Sequence, residues 1–292
     1  MPVPGREMPH STVVAVGGQA VFGGVMMRGD DRWAVAVRTP AGAIAVHQEA
    51  LPTWGRGGKR VPFVRGLVAI AEAMPLGARA LQWSASHGLV KPRRRSVTLA
   101  RVAGLIAVLW FLPPAITGRL VGGIHNGWVE GIVENVVAIA VLAAYAAAVG
   151  RFAVLPTLFE YHGAEHKVIA AFEAGGPLTA ERAARFSTRH VRCGTSLLLV
   201  LAVVAGALSA LHLPALIAIP LVAGVATELQ LRAAANVHRA WVRTLVRPGL
   251  ALQRLTTREP SLAQLEVAIA ALQAVTVSAA QPSSVEDVAV PV

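Results

Sequence analysis

Four apolar runs constrain this chain more than any other feature of its sequence. They cover Val102–Thr117, Val129–Gly150, Ser196–Leu211 and Leu213–Thr227. A helix needs about 20 apolar residues to cross a bilayer. The second run has that length, and the other three approach it when their ends extend over neutral residues. The third and fourth runs are separated only by a His-Leu-Pro turn, so we interpret them as a spanning hairpin.

The composition agrees with a membrane protein. Hydrophobic residues make up 54% of the 292 residues and charged residues only 15%, whereas a soluble domain has roughly a quarter charged residues. The N-terminal region has no apolar stretch long enough for a signal peptide, so we expect insertion to use internal segments. The sequence therefore predicts a multi-pass protein of the bacterial inner (plasma) membrane.

The basic residues predict the orientation. Arg119 alone lies between the first and second runs, and no basic residue lies between the third and fourth. The positive-inside rule then places both termini and the loop 151–195 in the cytoplasm. This topology, with anionic lipids as partners, accounts for most of the net charge of +11. Nucleic acid is not favoured as a partner, because the chain has no RNA-binding motif and no interleaving of basic and aromatic residues.

The segment before the apolar runs has strand signals. Two short apolar stretches flank the turn sequence TPAG, which predicts a β-hairpin from Trp33 to about Glu49. Thr12–Val16 is a candidate third strand. We interpret the glycine-rich stretch between them as tight turns in a small sheet and not as a phosphate-binding loop, because no Gly-Lys-Ser/Thr sequence follows.

A helix is predicted next, from about Phe63 to Ser86, with a kink at Pro75. Its charged residues Arg65, Glu72 and Arg79 are spaced by seven and share one face. This spacing is typical of an amphipathic helix that lies on a membrane surface or packs against a spanning bundle.

The predicted fold class is thus mainly α, a polytopic membrane protein with about four spanning helices, cytoplasmic termini and a small N-terminal β-rich cytoplasmic segment. The segments are a disordered leader (1–10), a β-rich segment (11–60), an amphipathic helical segment with a basic loop (61–98), a membrane bundle (99–230) containing the loop 151–195, a cytoplasmic helical segment (231–280) and a disordered tail (281–292).

The cytoplasmic loop contains the sequence H-x-x-E-H, formed by His162, Glu165 and His166. Two histidines four residues apart share one face of a helix, and this spacing occurs in inverted zinc hydrolases. His190 and Cys193 lie at the other end of the loop. Antiparallel spans would bring the two ends together, and the two pairs would supply four zinc ligands, or three and a water in a catalytic site.

Other interpretations of these residues stay open. A three-residue motif occurs by chance, and the two histidines could lie on a solvated helix. Cys193 is the only cysteine, so it forms no intramolecular disulfide and suits a reducing compartment. It could also be a small buried apolar residue. Glu228, at the cytoplasmic end of the fourth run, is a further candidate acid.

Four motifs occur in order in this chain: GGQAVFGGVMMRG, YHGAEHK, RHVRCGTS and LTTREPSLAQLEVAIAAL. With them the sequence resembles the YqhQ-like bacterial membrane proteins, domain-of-unknown-function family 1385, which are described as predicted metal-dependent enzymes. The resemblance extends from about Gly17 to Val275. It implies the following motif residues: Gly18, Gln19, Met26, Met27, Arg28, His162, Glu165, His166, Lys167, His190, Arg192, Cys193, Gly194 and Thr195.

The chain departs from the family pattern at two positions. Gly23 stands where the pattern has glutamate, and Val191 stands where it has proline. The first departure removes one candidate catalytic acid and leaves Glu165 as the better acid–base candidate.

Three functional hypotheses follow. The first is a metal-dependent hydrolase with a zinc-type site, in which Glu165 is the general base and Arg28 and Arg192 hold an anionic substrate group. The second is a non-catalytic membrane anchor or assembly factor for a cytoplasmic protein partner, with a structural His/Cys cluster. The third, a transporter, is less favoured, because no charged midplane site or inverted repeat is evident.

Overall fold

The structure, a computed structural model, describes residues 16–52, 61–88, 155–209, 211 and 213–276, with isolated positions between 116 and 144. The predicted leader and tail, the basic loops 53–60 and 89–98, nearly all of the first apolar run and half of the second lie outside the described residues. The described chain is mainly helical with a small N-terminal antiparallel sheet. This much of the predicted fold class is confirmed.

The sheet has four strands in sequential order, each antiparallel to the next: β1 Gly17–Val21, β2 Gly24–Arg28, β3 Arg32–Arg38 and β4 Ile44–Ala50. The predicted hairpin is present as β3 and β4, since Trp33 is the pairing partner of Glu49. The sequence predicted only turns in the glycine-rich stretch. In the structure this stretch also forms two strands, β1 and β2. Gly23, with a φ of 71°, lies in the turn between them and has a conformation that other residues adopt at a cost.

Both faces of the sheet are buried, which explains why its strands are almost continuously apolar. On one face Met27, Ala34 and Ala36 pack against the second and last helices described below. On the other face Trp33 and Val35 pack against the first of the helices described below.

Seven α-helices are present in the described part of the chain: α1 Val64–His87, α2 Leu155–Glu173, α3 Ala180–Ala184, α4 Gly194–Ser209, α5 Ala215–Ala235, α6 Ala240–Leu252 and α7 Leu262–Thr276. A short 3-10 helix, Gln253–Leu255, continues α6. Helices α2 and α7 cover one face of the sheet, α1 covers the other, and α4 packs against α5 and α6.

The three charged residues of α1 form ion pairs with other elements. Arg65 pairs with Glu228 of α5, with Nε–Oε1 at 2.6 Å. Glu72 is fully buried and pairs with Arg28 of β2. Arg79 pairs with Glu49 of β4. Helix α1 therefore connects the sheet to α5, with Pro75 inside it.

The third and fourth apolar runs form α4 and α5, and α5 extends eight residues beyond the predicted end at Thr227. Within the described residues, the segment Leu216–Ala235 is the one helix long and apolar enough to cross a membrane, and α4 is apolar but shorter. The predicted bundle of four spanning helices therefore stays a prediction.

Candidate metal centre

The helix α2 carries His162, Glu165 and His166 within little more than one turn. Gly163 lets another part of the chain approach this turn. A Cβ atom at Gly163 would lie 2.1 Å from the backbone oxygen of Arg258, and the Arg258 amide donates to the Phe159 oxygen at 2.9 Å. The segment after α6 therefore crosses α2 directly above the motif.

This crossing orients the histidines. The Nδ1 atom of His162 is 2.8 Å from the Thr256 oxygen, and Nδ1 of His166 is 2.6 Å from the Thr188 oxygen. A carbonyl oxygen only accepts hydrogen bonds, so each Nδ1 carries a proton, and in the neutral imidazole Nε2 then has the free lone pair. Backbone carbonyls fix the tautomer of metal-binding histidines in this way.

Cys193 directly precedes α4, and its carbonyl accepts the first hydrogen bond of that helix from Leu197. Its Sγ atom is 3.3 Å from Nε2 of His162. The candidate ligand atoms of His162, His166 and Cys193 all lie within 4.8 Å of one another. Ligand atoms of one tetrahedral zinc ion, each bonded at about 2.0–2.3 Å, lie roughly 3.3–3.8 Å apart, so a closing movement of about 1 Å would bring all three atoms to one ion. The two ends of the loop therefore converge as predicted, in an arrangement that fits a metal ion.

One of these atoms has no other role in the described structure. His166 is 2% exposed, and its Nε2 has no hydrogen-bond partner among the described residues. A buried polar atom without a partner is costly and indicates an interaction with a bound group. The chemistry of the donors, two imidazoles and one thiol, suits a zinc-type ion and does not identify it.

His190, the fourth predicted ligand, lies beside this cluster and not in it. Its ring centroid is 5.9 Å from that of His166, and its Nε2 is 3.4 Å from Oε2 of Glu173. Burial lowers the pKa of His190, while the nearby carboxyl of Glu165 acts in the opposite direction.

The position of His190 is fixed through its backbone. The Gln253 side chain accepts from the His190 amide at 2.9 Å and donates to the His190 oxygen at 2.8 Å. The side-chain nitrogen of Gln253 also donates to Oγ of Ser196 at 2.8 Å. We call this set of three hydrogen bonds the Gln253 clamp. It joins the end of α6 to the loop before α4.

Glu165 lies between the ligands and the first strand. A Cβ atom at Gly18 would be 2.8 Å from Cγ of Glu165, so β1 approaches this side chain as closely as a glycine allows. Burial raises the pKa of Glu165, and the charges of His162 and His190 oppose the rise. A buried carboxyl with a raised pKa beside a candidate metal site is a candidate acid or base.

A cavity of about 430 Å³ opens onto these residues. It brings together eight of the eleven predicted site residues, His190 among them. The other seven are Gln19, His162, Glu165, His166, Arg192, Cys193 and Thr195. Arg192 pairs with Glu173 at the edge of the cavity. The rest of the wall is largely apolar and includes Leu158, Phe159 and Ile169.

Three predicted residues lie elsewhere. Arg28 pairs with Glu72 under the sheet, and Glu228 pairs with Arg65. The buried Nζ of Lys167 is 2.6 Å from Oε1 of Glu259 and 2.7 Å from the Ala184 oxygen. These three side chains hold elements together and do not line the cavity.

Some contributors to the site escape sequence reasoning. The carbonyls of Thr188 and Thr256 orient the histidines, and a backbone oxygen leaves no mark in residue type. Gly163 lies inside the H-x-x-E-H sequence, and a glycine in a helix is itself a signal of close packing. Gln253 could be noticed only as a polar residue in an apolar stretch.

Comparison with known proteins identifies a family and a similar bacterial protein. The family model described as "Protein of unknown function (DUF1385)" matches residues 61–278. The "Uncharacterized protein YqhQ" of Bacillus subtilis (strain 168) is 31% identical over 299 residues, which cover 89% of this chain and 92% of that protein. No solved structure matches the chain.

Proposed function

The chain belongs to the DUF1385 family of proteins of unknown function, and we propose that it is a membrane-bound, metal-dependent hydrolase. The observation that carries the metal site is the fixed tautomer of the two histidines. Because both Nδ1 atoms face backbone oxygens, both Nε2 atoms are available to a metal, and Cys193 lies beside them.

Three protein ligands favour a catalytic site over a structural one. Structural zinc sites are closed by four protein ligands, whereas catalytic sites keep one position for water or substrate. The cluster of His162, His166 and Cys193 has three ligands and faces a cavity. A divalent ion bound there would act as a Lewis acid on the substrate.

Glu165 is proposed as the general base. It lines the cavity beside the ligands and is held between them and Gly18. From there it would accept the proton of the attacking water and deliver it to the leaving group.

Arg192 is the one guanidinium among the residues that line the cavity, so it is the candidate partner of an anionic substrate group. Arg192 also pairs with Glu173 at the cavity edge, so an anionic group would share this guanidinium with that carboxylate or displace it. Arg28, the second predicted anion ligand, pairs with Glu72 and does not line the cavity.

The membrane location rests on α4 and α5. Their outward side chains include Leu216, which is 88% exposed, and Ile219, which is 65% exposed. A contiguous exposed apolar surface on helices of this composition is suited to lipid. We propose that this pair lies in the bacterial inner membrane together with the first two apolar runs, with the metal site on the cytoplasmic side.

The non-catalytic anchor is the second candidate, and His190 is the observation that favours it. With its ring close to His166, a small movement would make it a fourth ligand and close the site. In that case the metal would tie the loop to the helices, and the surface would serve a cytoplasmic partner.

Two sets of variants test the proposal. Metal content of the purified protein should fall for His162→Ala, His166→Ala and Cys193→Ser. It should be retained for His190→Ala if the site is open, and lost if His190 closes it. Equal metal content in all four variants and the wild type would remove the metal site.

The second test separates catalysis from structure. Glu165→Gln is nearly isosteric, so we expect it to keep metal and fold, but an amide cannot accept the proton. Complementation of a strain that lacks the gene should therefore fail. A metal-replete Glu165→Gln protein that complements fully would exclude the hydrolase and leave the anchor.

A further inference from the structure

Helix α6 exposes an apolar stripe that the proposed function does not use. Trp241 is 64% exposed and Leu245 is 68% exposed. With Leu255, which is 36% exposed, they follow the spacing of one face of a continuous helix. A tryptophan and a leucine exposed to this extent on neighbouring turns indicate a contact surface. We call these three residues the α6 stripe.

The face of α6 beside the stripe packs against the protein. Val242 is 1% exposed, and a Cβ atom at Gly249 would lie 3.2 Å from Cβ of Ser196 in α4. The helix is therefore held in place by its inner face, and the α6 stripe points away from the fold.

The residues around the stripe are strongly cationic. Between Glu228 and Glu259 the sequence contains no acidic residue and six arginines: Arg232, Arg239, Arg243, Arg247, Arg254 and Arg258. Arg239, Arg243, Arg247 and Arg254 are exposed. A surface of this charge is complementary to phosphate groups and repels a second copy of itself.

The position of α6 defines what it meets. Helix α4 begins at Gly194 and α5 ends at Ala235, and since the two form a hairpin these termini lie at the same end. Helix α6 starts five residues after α5 and packs against α4 near that end, at Ser196. It therefore lies at the level where the apolar surfaces of α4 and α5 give way to polar chain.

We propose that α6 lies in the interface of an anionic bilayer, with the α6 stripe in the boundary between headgroups and acyl chains. Trp241 and Leu245 would enter that boundary, as aromatic and apolar residues of interfacial helices do. Arg239, Arg243 and Arg247 would contact lipid phosphates, because basic side chains are attracted to an anionic bilayer surface. The ligand is a lipid surface and not a soluble phosphate, because a soluble anion would leave the stripe in water.

Fluorescence of the full-length protein tests this. The wild type and Trp241→Phe are reconstituted in vesicles of phosphatidylcholine with phosphatidylglycerol, with or without acyl-chain bromines, and the difference between the two proteins isolates the emission of Trp241. We expect blue-shifted emission that the brominated lipid quenches. Substituting glutamine for Arg239, Arg243 and Arg247 together should reduce the quenching.

Trp83 provides the matched control. Its ring is stacked on those of His47 and His87, with centroids 5.7 and 4.5 Å away, so the signal lost in Trp83→Phe should be insensitive to bromine. Blue-shifted Trp241 emission without quenching, together with a monomer formed by Leu245→Glu, would show a second copy on the stripe and overturn the proposal. Water-like, unquenched emission would overturn it as well. Neither readout depends on metal or activity, so this inference can fail without the proposed function failing.

Discussion

Gly163 determines the ligand geometry at the scale of single residues. Alanine there would drive its Cβ into the Arg258 oxygen, and a backbone atom cannot move aside cheaply. We expect Gly163→Ala to destabilise the fold by about 1–3 kcal/mol, as overpacking does, and to weaken metal binding by displacing Thr256 from His162. Thermal unfolding and metal titration measure the two effects.

Gly194 is the matched control for this substitution. A Cβ atom at Gly194 meets no atom within 4 Å, although the residue follows a ligand directly. Gly194→Ala should therefore bind metal like the wild type. If both alanine variants behave alike, contact with Arg258 is not what orients His162.

Gly18 offers a way to disturb the proposed base without touching a ligand. Its Cβ would lie within 2.9 Å of three atoms of Glu165, so Gly18→Ala should displace that side chain. We expect normal metal content and a failure of complementation. Gly17→Ala, where no atom lies within 4 Å, should complement. A functional Gly18→Ala protein would argue against a positioned base.

At this scale the candidate ligand side chains are predictable from the sequence, whereas the backbone carbonyls that orient them are not. The residue types and spacing of His162, His166 and Cys193 were sufficient to predict a shared cluster, because each type has its own coordination chemistry. The oxygens of Thr188 and Thr256 were not predictable. Any residue supplies a carbonyl, and only the path of the chain selects which one.

At the scale of elements, α1 connects the sheet to α5 through ion pairs, and one of them gives a pH dependence. Burial alone would raise the pKa of Glu49, but the hydrogen bond with His47 and the charge of Arg79 outweigh it and hold the pKa below 4.5. The paired carboxylate therefore stabilises the fold above pH 4.5, and this contribution is lost as the pH falls through the lowered pKa.

Glu49→Gln tests this link between β4 and α1. The variant should be less stable than the wild type at about pH 7, and the difference should shrink as the pH is lowered towards about 3, because the wild-type carboxyl becomes protonated as the pH falls through its lowered pKa. Thermal unfolding of both proteins at the two pH values measures it. A difference that does not change with pH would show that the pair contributes nothing.

The Gln253 clamp is the second element-scale link. Gln253→Ala would leave the His190 amide without its partner and would remove one of the two hydrogen bonds to the His190 oxygen, which also accepts from the Cys193 amide. A lost buried partner costs about 1–3 kcal/mol. We expect a lower unfolding temperature and looser placement of His190. Gln253→Glu keeps the acceptor for the amide but removes both donors, so it should rescue only part of the loss.

Elements were predicted unevenly for a physical reason. The β3–β4 hairpin has a clear turn sequence between apolar runs, whereas β1 and β2 are rich in glycine and were interpreted as turns. Strands covered on both faces need no alternation of polar and apolar residues, so the usual period-2 signal is weak there. The spacing of Arg65, Glu72 and Arg79 correctly predicted one helix face, but partners from other elements occupy it.

At the scale of the whole molecule, the charge distribution predicts which side of the membrane holds the site. Reporter fusions at Gly176 and Gly123 should report opposite sides, with Gly176 in the cytoplasm, because the loop 151–195 is basic and the turn around Gly123 is not. An external Gly176 would place the candidate ligands outside the reducing compartment and contradict the proposed location.

The number of membrane spans is where the prediction and the described structure differ most. The sequence predicts four spans, and the described residues contain one helix that qualifies. Hydropathy depends only on local composition, so it identifies the four apolar runs whether or not each forms a helix that crosses the membrane. Crossing a bilayer also requires length, and in the described residues α5 alone meets that requirement. The domain boundaries drawn from the same runs stay predictions.

The Gln253 clamp has a further thermodynamic consequence, because it makes the end of α6 and the loop that carries Cys193 one mechanical unit. If metal and lipid bind at the two proposed sites, their affinities are linked reciprocally: the factor by which lipid changes metal affinity equals the factor by which metal changes lipid affinity. Metal-loaded and metal-depleted protein would then differ in their affinity for the bilayer surface. With positive coupling, both sites would be most fully occupied when the metal ion and anionic lipid are present together.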